Sequence, residues 1–85
     1  MHTTINSTHS IQFCLNLVRR KQYLEALERY KHYLSSYPDD LALILIGLYK
    51  EIYHSPNDLN IRLIISELYI RFMLYKDALI ELEEI

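Results

Sequence analysis

Between Met1 and Ile85 the chain carries one glycine, Gly47, and two prolines, Pro38 and Pro56. A β-barrel or sandwich needs a turn signal every ~8–12 residues, and three such residues cannot supply them. Between them runs an apolar pattern that returns every three or four residues, the spacing of one helix face. Hydrophobic residues make up 51% of the chain against nine basic and eleven acidic ones, which excludes a disordered or collagen-like polymer. At 85 residues a single domain is expected. Cys14 is the lone cysteine, so no intramolecular disulfide braces the fold.

The spacing predicts five helices. The first, over 9–20, carries Ile11, Phe13, Leu15, Leu17 and Val18 and takes its cap from Ser7, Thr8 or Ser10. The second, over 22–36, runs through Tyr23, Ala26, Leu27, Tyr30, Tyr33 and Leu34, with Glu25 and Arg29 as an i,i+4 pair on its wet side. Tyr37-Pro38-Asp39-Asp40 stops it, because the residue before a proline avoids the α region, and Asp39 or Asp40 can cap the third helix, 40–54. Ser55-Pro56-Asn57-Asp58 opens the fourth, 58–73, with Ser55 or Asn57 as cap. The fifth begins near Tyr75 and reaches Ile85. Connections of two to five residues make antiparallel neighbours, so the expected class is all-α, a five-helix antiparallel α-hairpin array.

Two stretches share a pattern. In the first, Phe13, Cys14 and Leu17 are followed by Tyr23, Ala26, Tyr30 and Tyr33, and Pro38 closes the unit. In the second, Ile65, Ser66 and Tyr69 are followed by Tyr75, Ala78 and Leu82. Each resembles the helix–turn–helix unit of the tetratricopeptide repeat (TPR) family. On that resemblance Cys14, Ser66, Ala26 and Ala78 are the small residues that let two helices approach, and the aromatics fill the gap between units. The pattern departs from the family at its tryptophan position, held by Ser10 and Arg62, and at its turn glycine, held by Lys21 and Met73. Ala26 and Ala78 lie 52 positions apart, one ~34-residue repeat plus about one helix. The implied organisation is one TPR-like domain, an α-solenoid fragment over 1–85: a first hairpin at 7–40, a lone apolar helix at 41–56 and a second, truncated hairpin at 57–85.

The lone helix, Leu41 to Tyr49, is apolar on every face and demands cover on all sides. Gly47, disfavoured by about 1 kcal/mol in mid-helix, suggests a close crossing there. Leu79, Leu82 and Ile85 form a stripe on the last helix with no polar helix after them, which points to an N-terminal piece of a longer protein or to a second copy covering the stripe. Residues 1–38 carry a net charge of +3, from five basic and two acidic groups, and residues 39–85 carry −5, from four basic and nine acidic. Such asymmetry favours head-to-tail contact at low salt.

Nothing in the chain spells out a reaction. His2, His9, His32 and His54 form no paired helical spacing and Cys14 has no second cysteine, so no metal or other cofactor is expected. Phosphate-loop, dinucleotide, zinc-protease and nucleophile-elbow motifs are missing, and Glu81, Glu83 and Glu84 read as a solvated edge rather than an acid–base pair. The chain is therefore read as no enzyme. Arg19-Arg20-Lys21 is the one basic cluster in a chain of pI near 6.0, against nucleic-acid binding. With no signal peptide and no apolar run near the ~20 residues of a membrane span, a cytoplasmic location is expected, and the Asn6-Ser7-Thr8 sequon is chance.

The TPR resemblance implies a protein-interaction module whose first helices line a concave groove for a partner's peptide or amphipathic helix. Its groove positions fall on Ile11, Leu15, Val18 and Arg19, and on Asn60, Leu63, Glu67, Ile70 and Arg71. Ile11 and Leu15 stand where the carboxylate-clamp subgroup needs Lys and Asn, so that subgroup is excluded. The alternatives are a homo-oligomerisation domain, through Leu79, Leu82 and Ile85 or the helix 41–54, and a small secretion- or pilus-assembly-type chaperone.

Overall fold

The computed structural model describes the backbone of residues 2–85 and the side chains of residues 9–85. The regular structure among those residues is all helical, with no strand: α1 (His2–Arg19), α2 (Tyr23–Ser36), a 3-10 turn (Pro38–Asp40), α3 (Leu41–His54), α4 (Leu59–Arg71) and α5 (Tyr75–Glu83). Four of the five helices both start and end within two residues of the predicted bounds, and α1 is the exception. It begins at His2, so Ser10 sits inside the helix and is not its cap. The other predicted caps, Ser7 and Thr8, and the Asn6-Ser7-Thr8 sequon lie outside the described side chains. The fourth helix is capped by neither Ser55 nor Asn57. Asp58 does it, with its carboxylate accepting from the Asn60 N–H at 3.1 Å.

The chain divides into two compact units, residues 1–44 and 45–85. In the first, α1 and α2 form a hairpin whose buried side chains are Cys14, Leu17, Val18, Ala26, Tyr30, Tyr33 and Leu34. Ala26 and Tyr30 are 0% and 1% exposed. A methyl at Ala26 permits close helix approach, and the phenol ring of Tyr30 is the bulkiest of the fully buried side chains. After α2, Tyr37 tilts its ring against Tyr33, centroids 4.9 Å apart, and the Tyr33 hydroxyl donates to the Asp40 carboxylate.

In the second unit α4 and α5 form another hairpin. Ile61, Ile64, Ile65, Ser66 and Leu68 of α4 are buried, as is Ala78 of α5. Ser66 is fully satisfied, its hydroxyl donating to the Arg62 carbonyl one turn back at 2.9 Å. Helix α3 runs from one unit into the other: Ile44 in the first and Leu48 and Ile52 in the second are buried, while Leu43 and Ile46 are 54% and 55% exposed. The expectation that this helix is covered on all sides thus holds for one face only. An i,i+4,i+8 stripe suffices to anchor a helix.

The two hairpins turn in the same way. Lys21 and Met73, at the positions where a turn glycine was expected, both have positive φ, 64° and 60°. The next residues, Gln22 and Leu74, sit at φ −93°, ψ 66° and φ −91°, ψ 64°. The hydrogen bonds match as well. Gln22 N–H donates to Leu17 O and Lys21 N–H to Val18 O; Leu74 N–H donates to Tyr69 O and Met73 N–H to Ile70 O. That six-to-one and five-to-two pairing is a Schellman cap with a non-glycine residue in the left-handed position. Ala26 N–H and Ala78 N–H then open the next helices on Gln22 O and Leu74 O, both at 3.0 Å.

Candidate partner-binding surfaces

The residues assigned to a partner fall into two sets, one per unit. On α4, Asn60, Leu63, Glu67, Ile70 and Arg71 are all exposed, and their spacing of three and four puts them on one face. Leu63 is 44% and Ile70 40% exposed, so the stripe is apolar at its centre with an amide, a carboxylate and a guanidinium around it. That face forms because Ile61, Ile64, Ile65 and Leu68 occupy the opposite side of the same helix. On α1, Ile11 and Leu15 are half-buried and Arg19 is exposed. Val18 is 2% exposed; it belongs to the packing of the hairpin and has no surface to offer a partner.

A cleft of about 520 Å³ opens on the first unit, lined by Ser10, Phe13, Cys14, Glu25, Glu28, Arg29, His32 and Tyr33. Phe13 is 44% exposed at its rim, and the Arg29 guanidinium lies over the ring at 4.8 Å. Arg29 also reaches Glu25 at 3.4 Å, the i,i+4 pair predicted from sequence. Burial pushes the Cys14 thiol up to about 11, with Arg29 pulling weakly the other way. At neutral pH it is a protonated packing group rather than a nucleophile.

The second unit holds a polar network that sequence reasoning missed. Glu81, read above as part of a solvated edge, is 6% exposed. Its carboxylate accepts from the Tyr49 hydroxyl at 2.7 Å and pairs with Arg62 at 3.3 Å, and the Tyr49 hydroxyl lies 3.0 Å from that of Tyr69. One carboxylate thereby joins α3, α4 and α5. Burial, followed by the hydrogen bonds to Tyr69 and Glu81, raises the Tyr49 phenol above its ordinary value, so it stays protonated where a free tyrosine ionises. Arg62 and Glu81 stand 52 positions after Ser10 and Arg29, two of the eight residues that line the cleft in the first unit.

Leu79, Leu82 and Ile85 are 57%, 42% and 48% exposed, with Tyr75 and Ile80 beside them at 60% and 57%. No described helix is long and apolar enough to cross a membrane, and no cluster of three or more His, Cys, Asp or Glu among the described residues is placed to hold a metal ion. No protein-family model, curated protein or solved structure matches the chain.

Proposed function

We propose that this chain is a non-catalytic protein–protein interaction module of TPR-like helical hairpins, which takes a peptide or amphipathic helix of a protein partner. The observation that carries this reading is the exposed stripe of α4, where Leu63 and Ile70 stand between Asn60, Glu67 and Arg71. An amphipathic helix reads such a stripe through apolar anchors at i, i+3 or i+4 and i+7, with charges fixing its direction. Ile11, Leu15 and Arg19 of α1 offer a smaller surface of the same kind. The recurrence of one turn geometry 52 positions apart supports a repeat origin for the two hairpins. On this reading the protein works in the cytoplasm, where a lone cysteine stays reduced.

The test is capture of one partner by the tagged chain, followed by Leu63→Asp and Ile70→Asp. Both positions face solvent, so circular dichroism should be unchanged while binding falls at least about tenfold, the scale of losing an apolar anchor. Undiminished capture by both variants would overturn the assignment of α4. A second reading, self-association, is favoured by the exposed apolar residues of α5 and by Leu43 and Ile46 of α3. It is checked by light scattering of the isolated chain.

A further inference from the structure

Helix α5 has two faces. Ala78 and Glu81 point into their own unit, while Tyr75, Leu79 and Leu82, at i, i+4 and i+7, form an apolar stripe 42–60% exposed. That spacing is the seam of a two-helix coiled coil, with Tyr75 and Leu82 on one core position and Leu79 on the other. One flank of the seam is formed by Ala78, which is already buried in the hairpin. The other flank carries Lys76 and Glu83, seven residues apart and both exposed. Asp77, and Glu84 just past the end of the helix, lie on the far side of its surface by the same helical spacing.

From this arrangement we infer that the occupant of the stripe is a second copy of the same chain, docked α5 against α5 in antiparallel sense. The argument is charge complementarity. Running antiparallel, the flanking positions of two identical helices face each other end for end, so Lys76 of one copy meets Glu83 of the other, twice over by the two-fold axis. Running parallel, each residue of the flank lies level with its own copy and neither pair forms. The seam is self-complementary in one orientation only. Because α5 has nine residues, about 13 Å of helix, the contact is far smaller than a standard interface and the dimer is weak, with a Kd in the ~10–100 µM range. The inference rests on the self-association reading and is independent of the partner face of α4.

Sedimentation equilibrium of the full chain, at concentrations up to ~500 µM to span the expected Kd, tests it. Lys76→Glu and Glu83→Lys each turn two attractive pairs repulsive and should weaken the dimer about tenfold at low salt, with the effect fading as salt rises. The double variant K76E/E83K should restore wild-type affinity, and an equimolar mixture of the two single variants should form a heterodimer tighter than either homodimer. Leu79→Glu should leave only monomer, with circular dichroism confirming retained helicity. If wild type dimerises but the charge variants do so equally well, the antiparallel α5 seam is overturned while self-association stands. If wild type stays monomeric throughout, both are overturned. Neither result bears on capture through Leu63 and Ile70.

Discussion

Up to the turn, the two hairpins are close copies. Lys21 and Met73 take up the same left-handed conformation, Gln22 and Leu74 follow with the same backbone angles, and Cys14, Ser66, Ala26 and Ala78 are all buried. Away from the turn they part. At equivalent positions, Ser10 and Arg29 face an open cleft in the first unit, while Arg62 and Glu81 close on each other in the second. Tyr30 is 1% exposed and its counterpart Leu82 is 42% exposed. A shared backbone turn therefore does not dictate how the space between helices is filled. In one hairpin an aromatic ring does it; in the other an ion pair does, and an apolar stripe is left outside.

The sharpest way to break this comparison is to truncate the paired positions Tyr30 and Leu82. Tyr30→Ala removes a fully buried ring and should cost about 3–5 kcal/mol, as large core truncations do. Leu82→Ala, at a half-exposed site, should cost about 1 kcal/mol or less. Urea unfolding followed by circular dichroism, at a chain concentration that keeps the protein monomeric, measures both. Equal losses would mean that the two positions are equivalent in packing as well as in sequence.

Next in size is the polar counterpart. Glu81→Ala leaves Arg62, with its side chain 19% exposed, without its carboxylate and leaves Tyr49 only the Tyr69 hydroxyl as a partner. The expected cost is about 2–3 kcal/mol, below the 3–5 of a fully buried pair because Arg62 keeps some solvent. Arg29→Ala breaks a pair whose side chains are 55% and 49% exposed, and should cost about 0.5 kcal/mol through Glu25 and the Phe13 contact. A reversal of that order would place the polar anchor in the wrong unit.

Much of this was legible in the chain and the illegible part has a physical cause. Helical spacing and the Pro38 and Pro56 breaks placed five helices, because periodicity and proline act locally. Ala26 and Tyr30 announced burial by residue type and register. Glu81 did not: a glutamate between Ile80 and Leu82 near a helix end looks solvated until a cation from another helix is known to reach it, and Arg62 is 19 positions away. Nor could register show that Val18 turns inward while Leu63 and Ile70 stay out, since all three are apolar residues on one amphipathic pattern. The start of α1 was misplaced for a related reason. Thr8 and Ser10 are good cap residues, yet helix continues through them, and capping propensity of about 1 kcal/mol is easily outweighed.

The smallest expected effect probes what the hairpins share. A non-glycine residue in the left-handed region carries a penalty of roughly 1–2 kcal/mol, partly offset because glycine loses more backbone freedom on folding. Lys21→Gly and Met73→Gly should therefore each stabilise the protein by about 0.5–1 kcal/mol, and by similar amounts, because both turns use the same pair of hydrogen bonds. Both side chains are exposed, Met73 by 74%, so little packing is lost in either change. β-Branched replacements at the same sites, Lys21→Val or Met73→Val, should destabilise by a comparable margin, since a branched Cβ crowds the following carbonyl. Were glycine to stabilise one turn and not the other, the likeness of the hairpins would be confined to their dihedral angles, and the strain in the second would be relieved somewhere along α4 or α5 rather than at Met73.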